Sequence, residues 1–245
     1  MISKSATYTQ INAQQSSTII TVLQHHPAEG VGEIGLWAHA RGIQLQVFRA
    51  DLGELPPVSA RPVLLLGGPY PLKNGPLWLE VERTWLSKAL AMQAPVFGIC
   101  LGAQLLSIAL GSEVSMMATP EEGWNTVFFP DGSTLDVLQC HDDQFSLPPE
   151  TTQMASSALC CQQGYTSETS TSDAWPGKYV GTQFHPEWNA DLVTSLNSFF
   201  GTSSPLPKML GTLDHERFDR VAQWFWPMLD AWFAQSRREP MESTT

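Results

Sequence analysis

Between Val96 and Leu106 the chain reads Val-Phe-Gly-Ile-Cys-Leu-Gly-Ala-Gln-Leu-Leu: an apolar run, a cysteine between two glycines, and a second apolar stretch. The first part predicts a short strand covered on both faces. The second, running to Leu110 and closed by Gly111, predicts a helix. Gly98-x-Cys100-x-Gly102 between them predicts a sharp strand-to-helix turn, because small neighbours leave room for a strained backbone. Such a turn lifts a sulfur clear of the sheet and sets it at a helix N-terminus, whose partial positive charge favours thiolate. The Leu101 amide beside it is free to stabilise an oxyanion. The competing reading is a buried cysteine between two glycines that pack helix on strand. The rest of the chain has to decide.

Upstream, β-branched Ser17–Leu23 predicts a first strand, followed by a loop containing His25, His26 and Glu29 and a short helix from Ile34 to Ala40. Ile43–Phe48 predicts a second strand, and the apolar run Val63–Leu66 a third, ending in Gly67-Gly68-Pro69. Pro76–Gln93 predicts a helix whose Leu77/Trp78, Val81, Trp85/Leu86 and Ala89/Leu90 form the core-facing stripe. This alternation predicts an α/β fold, doubly wound around a mainly parallel sheet. Ligands of such sheets gather at the carboxyl ends of strands, where Gly67-Gly68 and Cys100 both fall.

From Glu113 the texture changes to short strands and turns, at Val114–Met117, Asn125–Phe129, Leu135–Cys140 and Ala158–Gln163, an antiparallel extension of the sheet. Thr166–Gly177 predicts a mobile loop. Tyr179–Phe184 predicts a strand that delivers His185-Pro186-Glu187-Trp188, with Asn189 capping a helix through Phe200. Residues 1–17 predict a polar arm, residues 18–200 the main domain, and residues 201–245 a helical extension. The helix of that extension, about His215 to Gln235 and interrupted at Pro227, carries five aromatic residues between Trp224 and Phe233. It either packs on the domain or presents a homodimer or partner surface.

Asp plus Glu total 24 against 13 Lys plus Arg, a net charge of −11 that repels phosphate backbones and anionic lipids. Nucleic-acid and membrane binding are therefore not expected, and no apolar run approaches the ~18 residues a membrane span needs. The N-terminal stretch lacks an apolar signal core, and its Ser/Thr content without arginine is weak support for a transit peptide. Cys100, Cys140, Cys160 and Cys161 show no secreted disulfide pattern, so a cytoplasmic protein is expected.

A cysteine nucleophile needs a base, and the base an orienting partner. His185 and Glu187, at i and i+2 at the end of a strand, would share a face, the carboxylate binding one ring nitrogen and leaving the other for the sulfur. Gly67-Gly68-Pro69 can turn a second amide into the same site.

Gly67-Gly68-Pro69, Gly98-Ile99-Cys100-Leu101-Gly102-Ala103-Gln104 and Gln183-Phe184-His185-Pro186-Glu187, in that order, resemble the class I (triad-type) glutamine amidotransferases. The resemblance is greatest to stand-alone members similar to the amidotransferase domain of GMP synthase. Glu29 and Gly32, Glu121-x-Gly123-Trp124, and His141-Asp142-Asp143 with Leu147-Pro148 extend it. It implies a flavodoxin-like three-layer sandwich and cleavage of a glutamine side-chain amide through a γ-glutamyl thioester on Cys100. His185 would serve as base then acid, and Glu187 would orient it. Gly68 and Leu101 would form the oxyanion hole, and Gln104 would help seat the glutamine. The Glu121–Trp124 region would receive the α-carboxylate, with His141 nearby. No cofactor or metal is implied. Two departures, His141-Asp142-Asp143 for His-Gly-Asp and Gln163-Gly164-Tyr165 for Gln-Ala-Phe, leave the triad intact.

The resemblance leaves three outcomes: a glutaminase serving a separate synthase chain, a self-sufficient hydrolase of γ-glutamyl amides, or a non-enzymatic sensor or chaperone. The His185–Glu187 pair argues against the last. A zinc site from Cys140, His141, Cys160 and Cys161 is disfavoured because no Cys-x2-Cys spacing occurs and adjacent strand residues face opposite ways. Cys160 and Cys161 are expected as core and surface thiols, His25 and His26 as polar loop residues.

Overall fold

A computed structural model describes residues 18–167, 177–201 and 213–235. Nine strands are described: β1 (Ile19–Gln24), β2 (Gln44–Arg49), β3 (Val63–Leu65), β4 (Val96–Ile99), β5 (Val114–Phe128), β6 (Thr134–Phe145), β7 (Thr151–Ala155), β8 (Gly164–Ser167) and β9 (Tyr179–Thr182). Five α-helices and one 3-10 turn (Ala50–Leu52) accompany them among the described residues: α1 (Gly32–Ala40), α2 (Trp78–Ala91), α3 (Leu101–Ala109), α4 (Ala190–Phe200) and α5 (His215–Gln235). Seven strands form one sheet in the order β2-β1-β3-β4-β9-β8-β7. The first five run parallel, and β8 and β7 continue the sheet antiparallel. The order reverses between β1 and β3, the place where such sheets open a crevice at their carboxyl ends.

Alternation along the strands builds the layers. Ile20, Val22, Leu64, Leu66, Phe97 and Ile99 point to one face, under α1 and α5. Leu23, Val63, Leu65 and Val96 point to the other, under α2 and α3. The result is the expected α/β sandwich of three layers.

Three local expectations are corrected. The region after Glu113 is not a run of short strands joined to the sheet. β5 and β6 are long and pair as a separate ribbon, which touches the residues after β7 through the isolated β-bridge Phe128–Ser156. Residues 158–163 form bends rather than a strand, between β7 and β8, which supply the extension instead. Helix α5 runs through Pro227 without a break. Pro227 and Gln223, whose carbonyl loses its partner there, both face solvent, while Phe225, Met228, Leu229 and Trp232 hold the helix on the sheet. Three of its five aromatics between Trp224 and Phe233 are core: Phe225, Trp232 and Phe233 are buried, while Trp224 and Trp226 are half-buried. The N-terminal arm lies outside the described residues, as does most of the loop expected at Thr166–Gly177.

Candidate active site

Cys100 sits between β4 and α3 with φ 49° and ψ −110°, a strained conformation for a residue with a Cβ. Its N–H donates to Thr182 O at 2.8 Å, and its carbonyl accepts from Gln104 N at 3.0 Å, so both neighbours in the sheet and the helix hold the turn. The glycines explain the turn's feasibility. A Cβ on Gly98 would lie 2.5 Å from Gly102 O, and a Cβ on Gly102 would lie 2.2 Å from Leu65 O. The backbones of strand and helix touch there.

Cys100 is 6% exposed and lines a cavity of about 440 Å³ at the carboxyl ends of β3 and β4. His185 comes to it from the end of β9, although not on the strand. β9 stops at Thr182, and His185-Pro186-Glu187 forms a turn. Pro186 has no N–H for the ladder, and the turn folds Glu187 back so that Oε1 lies 2.9 Å from His185 Nδ1. His185 N–H donates to Leu138 O at 3.0 Å, and Trp188 stacks on the imidazole at 3.8 Å between centroids. The Glu187 carbonyl accepts from Glu33 N–H at 2.8 Å, which ties the turn to the start of α1. Burial pulls the His185 pKa down. The charge of Glu187 and hydrogen bonds with Cys100 and Glu187 overcome this and hold it well above the ordinary histidine value.

Two amides complete the arrangement. Among the described residues, neither the Gly68 nor the Leu101 N–H has a backbone acceptor. Both residues line the cavity beside Cys100.

The remaining expected site residues divide. Gln104 and His141 line the cavity. The Gln104 amide donates to Gln183 Oε1 at 3.3 Å, and the Gln183 amide approaches Cys100 Sγ at 3.7 Å. His141 Nδ1 lies 2.9 Å from Asp143 O, its Nε2 3.3 Å from Glu121 Oε2. Glu121 is buried behind His141 and bonded by the Gln163 amide, while its neighbour Glu122 faces the cavity. The irregularity between Met116 and Glu121 in β5 sets which of the two points inward. Trp124 is a correction. It packs edge-on against Phe218 at 5.1 Å and under the Arg217 guanidinium at 5.4 Å, in the cluster beneath α4 and α5, and does not line the cavity.

Several residues near the site were not expected there. Tyr70, Glu122, Cys140, Asp142 and Asp143 line the cavity, which has no Lys or Arg in its wall among the described residues. The Cys140 thiol is pushed up to about 12, first by burial, then by neighbouring Cys100, Glu29, Glu122 and Asp142. No cluster able to hold a metal occurs among the described residues, and none of their helices is long and apolar enough to cross a membrane.

Glu29 is buried beside His185 and Glu187: a point 2.8 Å from its Oε2 is 2.9 Å from His185 Cε1. Burial raises its pKa to about 7, with Glu187 adding to the rise and His185 and His25 opposing it. Between 4.5 and about 7 the folded protein therefore binds a proton that the unfolded chain has released, so stability falls as pH rises through that window. Glu29→Gln removes this loss. The variant should gain up to about 3 kcal/mol over wild type on moving from acid to pH 8. Urea unfolding at pH 5 and 8 measures it, and an equal difference at both pH values would refute the assignment.

The family profile "Glutamine amidotransferase class-I" matches residues 38–193. The chain is 28% identical over 192 residues to the putative glutamine amidotransferase-like protein YfeJ of Salmonella typhimurium, covering 70% of this chain and 77% of that one. It is 28% identical over 140 residues to one subunit of the glutamine-hydrolyzing GMP synthase of Saccharolobus solfataricus, covering 51% of this chain and 66% of that one. The chain thus spans about two thirds of the length of that relative. In fold it is similar to a crystal structure of a glutamine amido transferase from Methylobacillus flagellatus, with a TM-score of 0.77 and 24% identity over 93% of this chain and 99% of the other. On the strength of the profile match over more than half its length, the chain belongs to the class I glutamine amidotransferase family.

Proposed function

We propose that this protein hydrolyses the side-chain amide of glutamine through a thioester on Cys100 and releases ammonia for an acceptor. The observation that carries the reading is the His185–Glu187 pair, joined at 2.9 Å and electrostatically coupled to Cys100, which lies at the wall of a cavity with two amides that have no backbone acceptor among the described residues.

In this reading His185 already holds the Cys100 proton, as its raised pKa favours, and the thiolate attacks the amide carbon. The Gly68 and Leu101 amides receive the developing oxyanion. The imidazolium then gives its proton to the leaving nitrogen, the C–N bond breaks, and ammonia departs from the γ-glutamyl thioester. Water, deprotonated by His185, attacks the thioester and returns glutamate and the thiol. Gln104 and His141 line the space for the glutamyl chain. Two archaeal relatives are named as one subunit of a glutamine-hydrolyzing GMP synthase, which favours a separate synthase chain as ammonia acceptor.

One observation favours the second reading, a hydrolase of γ-glutamyl amides with water as acceptor. Glu122, Asp142 and Asp143 line the cavity with no Lys or Arg among its described lining residues, a wall that suits a cationic amine as the departing group. The purified chain, offered glutamine and γ-glutamyl amides of neutral and cationic amines, separates the two. Slow glutamine turnover without a partner supports the amidotransferase; brisk release of a cationic amine supports the hydrolase. In either case mass mapping should find the trapped acyl group on Cys100, and an adduct on Cys160 would overturn both.

A further inference from the structure

A second histidine–carboxylate pair lies fully buried behind the loop that carries Gly68. His25 follows β1, its Nδ1 2.8 Å from Leu66 O and 3.2 Å from Gly67 O. Its Nε2 is 2.9 Å from Glu82 Oε1. Glu82 comes from α2, one turn after Trp78, whose ring stacks on His25 at 5.7 Å between centroids. The other oxygen of Glu82 is buried with no hydrogen-bond partner, so His25 is the hydrogen-bond partner that holds this carboxylate.

Both carbonyls near Nδ1 can only accept, so Nδ1 carries a proton and donates to them. The Gly67 carbonyl and the Gly68 N–H belong to one planar peptide and point in opposite directions. A donor that fixes the direction of that carbonyl therefore fixes the direction of the amide. The Leu66 carbonyl also accepts from Gly102 N–H at 3.2 Å, so the same few atoms tie this loop to the turn that carries Cys100. The loop lies directly on His25: a Cβ on Gly68 would stand 2.9 Å from His25 Cβ.

We propose that His25 and Glu82 are a positioning pair that orients the Gly67–Gly68 peptide and so aims the Gly68 N–H at the oxyanion. This rests on the hydrolytic reading above. Burial pulls the His25 pKa down, but the charge and hydrogen bond of Glu82, with the Leu66 and Gly67 carbonyls, lift it above the ordinary value. Nearby Glu29 adds a further carboxyl that interacts with His25. A charged donor polarises the peptide it binds, which strengthens the N–H on its far side.

A buried pair that merely fastens α2 to the loop would loosen everything alike when broken; a positioning pair should not. Wild type, His25→Gln and Glu82→Gln are compared in three measurements. These are kcat and KM for the preferred γ-glutamyl amide, inhibition by a γ-aldehyde analogue of glutamine, and alkylation of Cys100 by iodoacetamide. The aldehyde forms a thiohemiacetal whose oxygen occupies the oxyanion site; alkylation makes no use of that site. His25→Gln should lower kcat about 100-fold, at the lower end of the loss of one oxyanion donor. KM should stay within about threefold, aldehyde affinity should fall by the same factor as kcat, and alkylation should be unchanged. Glu82→Gln should lose about tenfold, since a neutral imidazole still donates from Nδ1 but without charge. If His25→Gln fails to fold, the nearly isosteric Glu82→Gln carries the test. Unmoved kcat and aldehyde binding, or an equal fall in alkylation, overturn the assignment while leaving the hydrolytic reading standing. A wild type that neither turns over γ-glutamyl amides nor binds the aldehyde overturns both.

Discussion

Replacing Cys100 by glycine is expected to extinguish amide cleavage and to make the protein more stable at the same time. Loss of a nucleophile in a comparable hydrolase lowers kcat on the order of 10⁶-fold. The gain in stability has a separate origin. Cys100 holds φ 49° and ψ −110°, where a Cβ is crowded, and such a conformation costs about 1–3 kcal/mol. Glycine is free of that strain but gives back about 0.5–1 kcal/mol through its greater freedom in the unfolded chain. A net gain of about 1 kcal/mol in urea unfolding is expected. Cys100→Ala supplies the control, being equally inactive while keeping the strained Cβ and so gaining nothing. Equal stability of the two variants would show that the turn is relaxed, and surviving turnover in either would remove Cys100 as nucleophile.

Gly102→Ala is expected to be among the most damaging single-methyl additions in the molecule. The added carbon would lie 2.2 Å from Leu65 O and 2.6 Å from Leu65 Cβ. The first obstacle is backbone in a central parallel strand, so no side-chain rotation relieves it. Overpacking typically costs about 1–3 kcal/mol, and this site should reach or exceed the top of that range. The displaced helix also carries the Leu101 amide and is hydrogen-bonded through Gly102 N–H to Leu66 O. Activity should therefore fall even where the variant is fully folded. Urea unfolding and kcat measured on the same preparation test both effects; a stable, active Gly102→Ala would mean the helix has slack that the distances deny.

The central sheet was legible because its strands are short and apolar on both faces, as at Val63–Leu65 and Val96–Ile99, and end in glycine or cysteine. Cys100, His185 and Glu187 were legible from spacing, since glycines around a cysteine and a proline between histidine and glutamate each constrain the backbone. The helix Trp78–Ala91 shows where period alone misleads. Leu77 and Val81, assigned to its stripe, are 85% and 58% exposed, whereas the buried side is Leu79, Glu82, Trp85, Leu86 and Ala89. A charge placed three residues after Leu79 and three before Trp85 was the available sign of a buried partner, which proved to be His25. Trp124 was misplaced because a tryptophan near a motif says nothing about which side of a ribbon it faces. That depends on the irregularity in β5 and on contact with Phe218, far along the chain in α5.

Helix α5 lies beyond residue 193, where the family match stops, yet Phe225, Leu229 and Trp232 share with α1 the covering of the sheet face that carries Phe97 and Ile99. Its edge is fastened by Trp37 and Arg41 to Asp230 and by Trp226 to Glu33, whose own N–H holds the Glu187 carbonyl. The matched stretch is therefore not a detachable cassette. Anyone trimming this chain to the shared family boundaries would strip an oily wall bare and cut the guy-line that runs, through one acidic side chain, to the turn bearing the His185 imidazole.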